Sequence, residues 1–127
     1  VYPAVDASRE SDASRTYGDG YLLDASTMNW FYNQYATDGL RTDPRVSPLL
    51  SANEVVGATA PAHVVVAEFD PLRDDGLDYA LRLGSLGVPV SIDHHPDQMH
   101  GFFSLPAVIP GAGVAIEGAA AFLRRVL

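Results

Sequence analysis

The sequence predicts an α/β fold, in which parallel strands are flanked by helices. Two apolar runs, at 63–69 and 88–92, are the predicted strands. The run at 63–69 does not alternate between polar and apolar residues, which is typical of a strand that is covered on both faces of a parallel sheet. The segment between them has the apolar spacing of a helix. A strand, a helix and a second strand in this order form a unit whose strands lie parallel.

Composition and charge indicate a single globular domain or part of one. The chain has 127 residues, of which 47% are hydrophobic and 19% are charged. Its formal net charge is −8, and its 8 basic residues are scattered arginines, so neither nucleic acid nor an anionic membrane is an expected partner. No apolar run approaches the ~20 residues of a membrane-spanning helix. We therefore expect a small neutral molecule as the ligand, with the cytoplasm as the default compartment.

The first stretch of the chain is expected to contain one strand and one loop. Residues 1–5 are apolar and partly β-branched, which predicts a strand, although Pro3 removes one ladder donor. A sequence that begins inside a strand suggests that an N-terminal part is missing. Residues 6–20 are rich in Ser, Asp and Gly and are predicted to form a loop.

A helix is predicted after Asp24, whose side chain can cap it. Met28, Phe31, Tyr32 and Tyr35 follow at positions i, i+3, i+4 and i+7, so they share one helical face. One hypothesis is that this face packs on the core. The other is that it covers an apolar substrate pocket, since such pockets are lined mostly by aromatic and aliphatic side chains.

A short helical turn is predicted at 51–56, within a stretch that is otherwise interrupted by prolines. Ser51 and Glu54 have the spacing of a capping box, in which each side chain accepts a hydrogen bond from the backbone N–H of the other residue. This spacing predicts that the turn begins at Ser51.

The helix between the strands and the last helix are defined by their ends. Asp74 or Asp75 can cap the first of them, and Gly87 can adopt the left-handed conformation that ends it. A loop is predicted at 94–110. The last helix is predicted at about 112–126, where two arginines in the final turn suit the helix dipole.

Asp70 and His100 are the residues best suited to chemistry, because each lies beyond the end of a predicted strand. The carboxyl ends of neighbouring parallel strands lie at one edge of the sheet, where ligands and catalytic groups gather. There Asp70 could hold one imidazole tautomer of His100 and leave the other ring nitrogen as a general base. The alternatives are a turn-forming role for Asp70, which precedes Pro71, and a surface or core-edge role for His100.

A metal site is a weaker alternative. Its ligands would come from three histidines and two aspartates, namely His94, His95, His100, Asp70 and Asp97. Their spacing matches no recognised ligand pattern, and adjacent histidines at the end of a strand point to opposite faces. The sequence has no cysteine, which excludes thiolate ligands, disulfides and a cysteine nucleophile. We therefore expect neither a metal nor any other cofactor.

The sequence lacks the nucleophile that such an acid–base pair normally serves. No serine lies in the Gly-x-Ser-x-Gly turn that presents a nucleophile after a strand, and no His-Gly-Gly-Gly oxyanion loop is present. The residues alone therefore indicate two parts of a catalytic triad without the third.

Several stretches resemble the hormone-sensitive-lipase-like carboxylesterases, a group with the α/β-hydrolase fold. The most specific are Glu68-Phe69-Asp70-Pro71-Leu72-Arg73-Asp74 and His100-Gly101-Phe102. Tyr2-Pro3, the aromatic stretch 20–35 and the proline-containing stretch 43–49 are similar to a strand exit, a cap-side helical insertion and a connector of that family. The resemblance extends over nearly the whole chain and corresponds to the C-terminal half of the family's fold.

This resemblance implies a fold and a domain organisation. The strands at 1–5, 63–69 and 88–92 would be the sixth, seventh and eighth of an α/β-hydrolase sheet, so residues 1–127 would form part of one hydrolase domain. Residues 15–40 would be the cap-side insertion, and residues 61–127 would be the half that carries the catalytic acid and base.

The implied activity is the hydrolysis of carboxylic esters with short to medium acyl chains, with Asp70 as the triad acid and His100 as the triad base. The order Ser, Asp, His in this fold places the serine upstream of Val1. We therefore expect the chain alone to be inactive. Its partner would be the missing N-terminal half or, through unpaired strand edges, a second copy.

The residues implied at the substrate pocket are apolar or aromatic: Phe102, Phe103, Met28, Phe31 and Tyr32. Core packing is the alternative for each of these side chains. A non-catalytic role is the second hypothesis for the whole chain, since the same fold also serves as a ligand receptor or an interaction module without a nucleophile.

Overall fold

Two parallel strands form the centre of the structure, and helices pack on both of their faces. The computed structural model describes residues 1–8, 10–37 and 39–127. The helices are α1 (Asp12–Tyr17), α2 (Ala25–Tyr35), α3 (Asn53–Gly57), α4 (Arg73–Ser85) and α5 (Pro110–Val126). The strands are β1 (Ala62–Phe69) and β2 (Val90–Met99), and short 3₁₀ turns lie at Pro48–Leu50 and Phe102–Ser104.

The strands β1 and β2 pair in parallel, as the sequence predicts, but β2 is longer than expected. Pairing continues in register as far as Ala67 opposite His95 and resumes at Phe69 opposite Met99 after an irregularity. The sequence predicts a strand end at residue 92 because polar residues follow. That prediction is wrong, and the first part of the predicted loop belongs to β2. Backbone hydrogen bonds to β1, not apolar side chains, extend the strand.

Both faces of β1 are buried, which explains its continuous apolar sequence. Val64 and Val66 pack on α4. Val65 and Ala67 point the other way and pack with α5 and the ring of Phe102. Burial of a valine side chain contributes roughly 1.5–3 kcal/mol, so these positions hold the two helices against the strand. The prediction of a strand that is covered on both faces is confirmed.

The predicted strand at 1–5 does not form, and hydrogen bonds to scattered partners hold this segment instead. The Tyr2 N–H donates to the Val65 carbonyl oxygen at 2.6 Å. The N–H groups of Val5 and Asp6 both donate to one carboxylate oxygen of Asp75, at 3.0 and 3.1 Å. A side chain of α4 therefore replaces the partner strand, and the described part of the chain has a sheet of two strands instead of three.

A short helix, α1, lies within the stretch 6–20 that the sequence predicts to be a loop. The Ser11 side chain caps it by accepting the Ser14 N–H at 3.1 Å. The N–H of the fully buried Ala13 donates to Asp74 Oδ2 in α4 at 2.7 Å. The loop prediction is wrong here because so short a helix depends on tertiary contacts, which composition does not reveal.

Two predicted helix caps are replaced by other arrangements. The helix α3 begins after Ala52 instead of Ser51, and no side chain caps it. The helix α4 begins after Leu72, which leaves Asp74 and Asp75 inside its first turn, where carboxylates suit the helix dipole. Their oxygens accept backbone N–H groups from α1 and from the N-terminal segment, so tertiary contacts take the place of capping.

The helix α2 has no buried residue and leaves its aromatic side chains uncovered. Trp30, Phe31 and Tyr35 are each more than half exposed. The hypothesis that this face packs on the core is therefore wrong for the described chain. Among the described residues, no helix combines the length and the apolar character needed to cross a bilayer.

Candidate active site

Asp70 lies immediately after β1 and is held in a single arrangement by two hydrogen bonds. Its side chain has no exposed surface. One carboxylate oxygen, Oδ1, accepts the Leu72 N–H at 2.8 Å, and the other, Oδ2, lies 2.8 Å from His100 Nδ1. The Arg73 N–H donates to the Asp70 carbonyl oxygen at 3.0 Å and closes the turn into α4. Both oxygens of this buried carboxylate therefore have partners, as burial requires.

His100 follows the last residue of β2 and is positioned by the two residues after it. Gly101 has a φ of 84°, a conformation that favours glycine, and it turns the chain into a 3₁₀ turn. Phe102 comes next and is fully buried among the side chains that α5 covers. The strand, the turn and this buried ring together bring the imidazole back to the end of β1. About a fifth of the His100 side chain, 22%, stays exposed.

The chemistry of this pair follows from which atoms face each other. A carboxylate can only accept hydrogen bonds, so the hydrogen between the two groups belongs to Nδ1 of His100. The other ring nitrogen, Nε2, then carries a lone pair and can accept a proton. A neutral imidazole that a carboxylate holds in one tautomer is the arrangement of a general base.

A network of charged side chains surrounds the turn that carries Asp70. The Glu68 carboxylate accepts hydrogen bonds from the Tyr17 hydroxyl at 3.0 Å and from the Arg73 guanidinium, and its second oxygen lies 2.9 Å from His94 Nε2. Arg73 also pairs with Asp74. Burial raises the pKa of Glu68, but its partners outweigh this effect and leave the pKa below its usual value. The network ties α1, β1, α4 and β2 together beside the pair.

A second group of polar side chains lies under α5, and we call it the back-face cluster: His63, Ser91, Asp93 and His95. His63 Nδ1 lies 2.8 Å from Ser91 Oγ. Asp93 Oδ2 lies 3.1 Å from His95 Nε2 and 4.0 Å from His63 Nε2. Both Nε2 atoms are buried without a hydrogen bond. Across the described ranges, no group of three or more His, Cys, Asp or Glu side chains is arranged to hold a metal ion.

The structure does not gather the five expected pocket residues around Asp70 and His100. Phe102 is part of the core, and Phe103 packs on that core from outside. Phe31 is exposed on α2. Met28 and Tyr32 line a separate cleft of about 200 Å³, whose lining includes neither Asp70 nor His100. Core packing therefore accounts for Phe102, and the pocket role of the other four residues stays a prediction.

The cleft beside α2 is dominated by Arg41 and Tyr32. The guanidinium lies over the tyrosine ring at 5.4 Å from its centroid and donates to the side-chain oxygens of Asn29 and Asn33. Burial, with smaller contributions from nearby aspartates, raises the pKa of Tyr32 to about 12. The Tyr32 hydroxyl therefore stays protonated at neutral pH and cannot serve as a base there.

Two residues that lie beside His100 or its neighbour Gly101 were not expected from the sequence. The ring of Tyr2 lies 4.3 Å from the imidazole of His100 between centroids. Leu22 lies so close to Gly101 that a Cβ atom on the glycine would come within 2.8 Å of its methyl group. No local pattern identifies either residue, because both are brought to the site only by the tertiary fold.

Comparison with known proteins identifies the family. A family model described as alpha/beta hydrolase fold matches residues 1–104. The chain belongs to this α/β-hydrolase family. The sequence-based resemblance and the predicted fold class are therefore confirmed, with the correction that this α/β-hydrolase chain has two described strands.

Relatives of this α/β-hydrolase chain are named as ester hydrolases. It is 44% identical to the ethyl acetate hydrolase of Pseudomonas putida over 113 residues, which are 88% of this chain and 35% of that protein. It is 38% identical to the carboxylic ester hydrolase LipN of Mycobacterium tuberculosis over 107 residues, 83% of this chain and 28% of that protein. The chain thus spans about a third of the length of these curated relatives.

Solved structures show the same similarity to esterases. A thermostable esterase from Pseudomonas putida superimposes with a TM-score of 0.93 at 33% identity, covering 99% of this chain and 40% of the esterase chain. The α/β-hydrolase chain is therefore similar to part of an esterase in both sequence and backbone geometry, and its parent family is enzymatic.

Proposed function

We propose that the chain carries the catalytic acid and base, Asp70 and His100, of a serine carboxylesterase. The observation that carries this proposal is the 2.8 Å contact between Asp70 Oδ2 and His100 Nδ1 at the carboxyl edge of two parallel strands. The esterases among the chain's relatives support an ester as the substrate class.

The proposed reaction uses His100 Nε2 as a proton shuttle. Nε2 accepts the proton of a serine hydroxyl while the serine oxygen attacks the ester carbonyl carbon. The imidazolium then gives this proton to the departing alcohol oxygen, and an acyl-serine remains. Water repeats the sequence: Nε2 takes its proton, the hydroxide attacks the acyl carbon, and the serine recovers the proton as the carboxylic acid leaves. Asp70 orients the imidazole and stabilises its positive charge in both steps.

The serine itself is proposed to come from a segment outside these 127 residues. Among the described residues, no serine hydroxyl forms a hydrogen bond with His100. The one side chain among them that forms a hydrogen bond with the His100 imidazole is that of Asp70. The sequence also lacks a Gly-x-Ser-x-Gly turn. We therefore propose that the chain alone turns over no ester, and that a nucleophile and oxyanion donors from the rest of a hydrolase domain complete the site.

The experiment that tests this function is a chimera. The stretch of the Pseudomonas putida ethyl acetate hydrolase that aligns with this chain is replaced by the corresponding residues of this chain, so that the relative supplies the upstream segment. We expect the chimera to hydrolyse p-nitrophenyl acetate and the same chimera with His100→Ala to lose this activity by several orders of magnitude. The 127-residue chain alone should not differ from its own His100→Ala variant.

Two results would contradict the proposal in different ways. Turnover by the chain alone, well above its His100→Ala control, would show that the nucleophile lies within these residues. A chimera that is folded by circular dichroism but inactive would remove the catalytic assignment. That second result would favour the alternative of a non-catalytic binding or interaction module, for which the uncovered aromatic face of α2 is the supporting observation.

A further inference from the structure

The imidazole of His100 packs against an aromatic side chain from the start of the chain. The centroids of the Tyr2 and His100 rings are 4.3 Å apart, and the rings are tilted by 51°. This separation is shorter than usual for an aromatic pair. Asp70 holds the imidazole through one nitrogen only, and a single hydrogen bond leaves the ring able to rotate about it. A second ring packed against the imidazole restricts that rotation.

The backbone at Tyr2 is strained, which indicates that surrounding contacts hold it in place. Its φ is 28°, in the region that residues with a Cβ atom seldom adopt, and Tyr2 is the one non-glycine residue in the described chain with a positive φ. Its N–H donates to the Val65 carbonyl oxygen at 2.6 Å. The ring also lies 6.3 Å from that of the buried Phe102.

Contacts on the C-terminal side of Tyr2 explain how this conformation is maintained. Asp75 is buried and accepts the N–H groups of both Val5 and Asp6. The Ala7 N–H donates to Ser47 Oγ at 2.8 Å, and the side chain of Ser47 is fully buried. The segment that carries Tyr2 is thus tied to α4 and to the connector before α3, and the position of its ring is determined by parts of the fold remote from His100.

We propose that Tyr2 is a positioning residue for His100: its ring packs against the imidazole and keeps Nδ1 aligned with Asp70, so that Nε2 stays turned away from the carboxylate. The proposal rests on the proposed function, because an aligned imidazole matters only if His100 is the base. The ring, and not the phenol hydroxyl, makes the contact. Phenylalanine should therefore replace tyrosine here, and leucine should not.

The test uses the Nδ1 proton of His100 in the 127-residue chain, observed by proton NMR. An Nδ1 proton that is hydrogen-bonded and protected from solvent gives a resolved downfield signal whose exchange with solvent can be measured. The loss of this signal in His100→Gln assigns it. We expect Tyr2→Leu to accelerate this exchange about threefold to tenfold, the loss that corresponds to one aromatic ring pair. Tyr2→Phe should remain within about twofold of the wild type. Tyr35→Leu, the same substitution at an exposed tyrosine, is the matched control and should have no effect.

The outcomes separate this inference from the proposed function. A wild-type chain without a hydrogen-bonded Nδ1 proton on His100 would remove both. If the wild-type signal is present, two results would overturn the role of Tyr2 alone. Either Tyr2→Leu leaves the exchange of this proton unchanged, or Tyr2→Phe changes it as much as Tyr2→Leu does. If Tyr2→Leu does not fold, nuclear Overhauser contacts between the two rings in the unaltered chain decide, and their absence overturns the inference. In the esterase chimera, Tyr2→Leu should lower kcat threefold to tenfold with KM within twofold.

Discussion

The strands β1 and β2 carry several imidazole–carboxylate contacts, and two of these arrangements, the proposed catalytic pair and the back-face cluster, differ in geometry. At the carboxyl edge, Asp70 and His100 share one hydrogen bond of 2.8 Å, and the remaining imidazole nitrogen is available. In the back-face cluster, Asp93 approaches two imidazoles through their Nε2 atoms, and neither contact is an aligned hydrogen bond.

Proximity of a histidine and an aspartate is therefore not sufficient evidence for a catalytic pair. Both arrangements bring a carboxylate oxygen within about 3 Å of an imidazole nitrogen. Only the edge pair combines an aligned contact at Nδ1 with a partly exposed imidazole, so that Nε2 is left to receive a proton. In the back-face cluster the Nε2 atoms are themselves buried, and α5 lies over them. Alignment and access, not residue type, distinguish the two regions.

The largest contrast is expected from removing each carboxylate charge in the esterase chimera. Asp70→Asn should lower kcat/KM for p-nitrophenyl acetate by roughly 10⁴-fold, because an amide no longer enforces the tautomer in which Nε2 is the base. Asp93→Asn should leave kcat/KM within about threefold of the chimera, since it has no aligned bond to lose. Steady-state kinetics measure both. Comparable losses for the two variants would break the distinction between the regions.

A smaller contrast is expected between two glycines, one beside each arrangement. Gly101→Ala should destabilise the chain by about 1–2 kcal/mol, because alanine is strained at a φ of 84° and its Cβ would press on Leu22. In Gly118→Ala in α5, the new Cβ would lie 3.4 Å from Asp93 Oδ2, which is an ordinary contact distance. This substitution should stabilise the helix by up to about 1 kcal/mol.

Urea denaturation of the two alanine variants gives these free energies of unfolding. If Gly118→Ala lowers the unfolding free energy as much as Gly101→Ala does, the helix over the back-face cluster is packed as tightly as the turn that carries Gly101.

The smallest effect concerns Glu68, near the end of β1 and close to Asp70. Its pKa is lower in the folded chain than its usual value of 4.5, because its hydrogen bonds and the Arg73 charge outweigh the effect of burial. This carboxylate therefore contributes stability that is fully present above pH 4.5 and is lost as the pH falls through the lower, folded pKa. Glu68→Gln should lose about 1 kcal/mol at neutral pH.

The pH dependence provides the check on Glu68. Unfolding free energies of the wild type and of Glu68→Gln should differ at about pH 7 and converge as the pH falls below 4.5 and through the lowered pKa of the wild-type carboxylate. A difference that stays constant across this range would mean that the charge of Glu68 contributes nothing, and that the network acts only through neutral hydrogen bonds.

Much of the central unit could be predicted because its physical causes are local. The apolar run of β1, the helix spacing of α4 and the left-handed Gly87, with its φ of 83°, are each determined by neighbouring residues. Asp70 and His100 could be paired in advance because parallel strands end at the same edge of a sheet. These inferences needed only the chain order and the period of the side chains.

The features that could not be predicted depend on contacts between distant residues. The helix α1 needs Asp74 to accept the Ala13 N–H, and the polar second half of β2 needs the backbone of β1. The segment 1–5 was misassigned because its apolar sequence does not show that Asp75 occupies the place of a strand partner. The contact of Tyr2 with His100 has no sequence signal for the same reason.

The most direct test of the central claim is the tautomer of His100 in the 127-residue chain. Nitrogen-15 chemical shifts of histidine-labelled protein, assigned with His100→Gln, report which ring nitrogen carries the hydrogen at neutral pH. The structure predicts that the hydrogen is on Nδ1 of His100, facing Asp70, and that Asp70→Asn reduces this preference. Predominance of the tautomer with the hydrogen on Nε2 would leave Nε2 without a lone pair to accept a serine proton. This result would contradict the assignment of Asp70 and His100 as the acid–base pair.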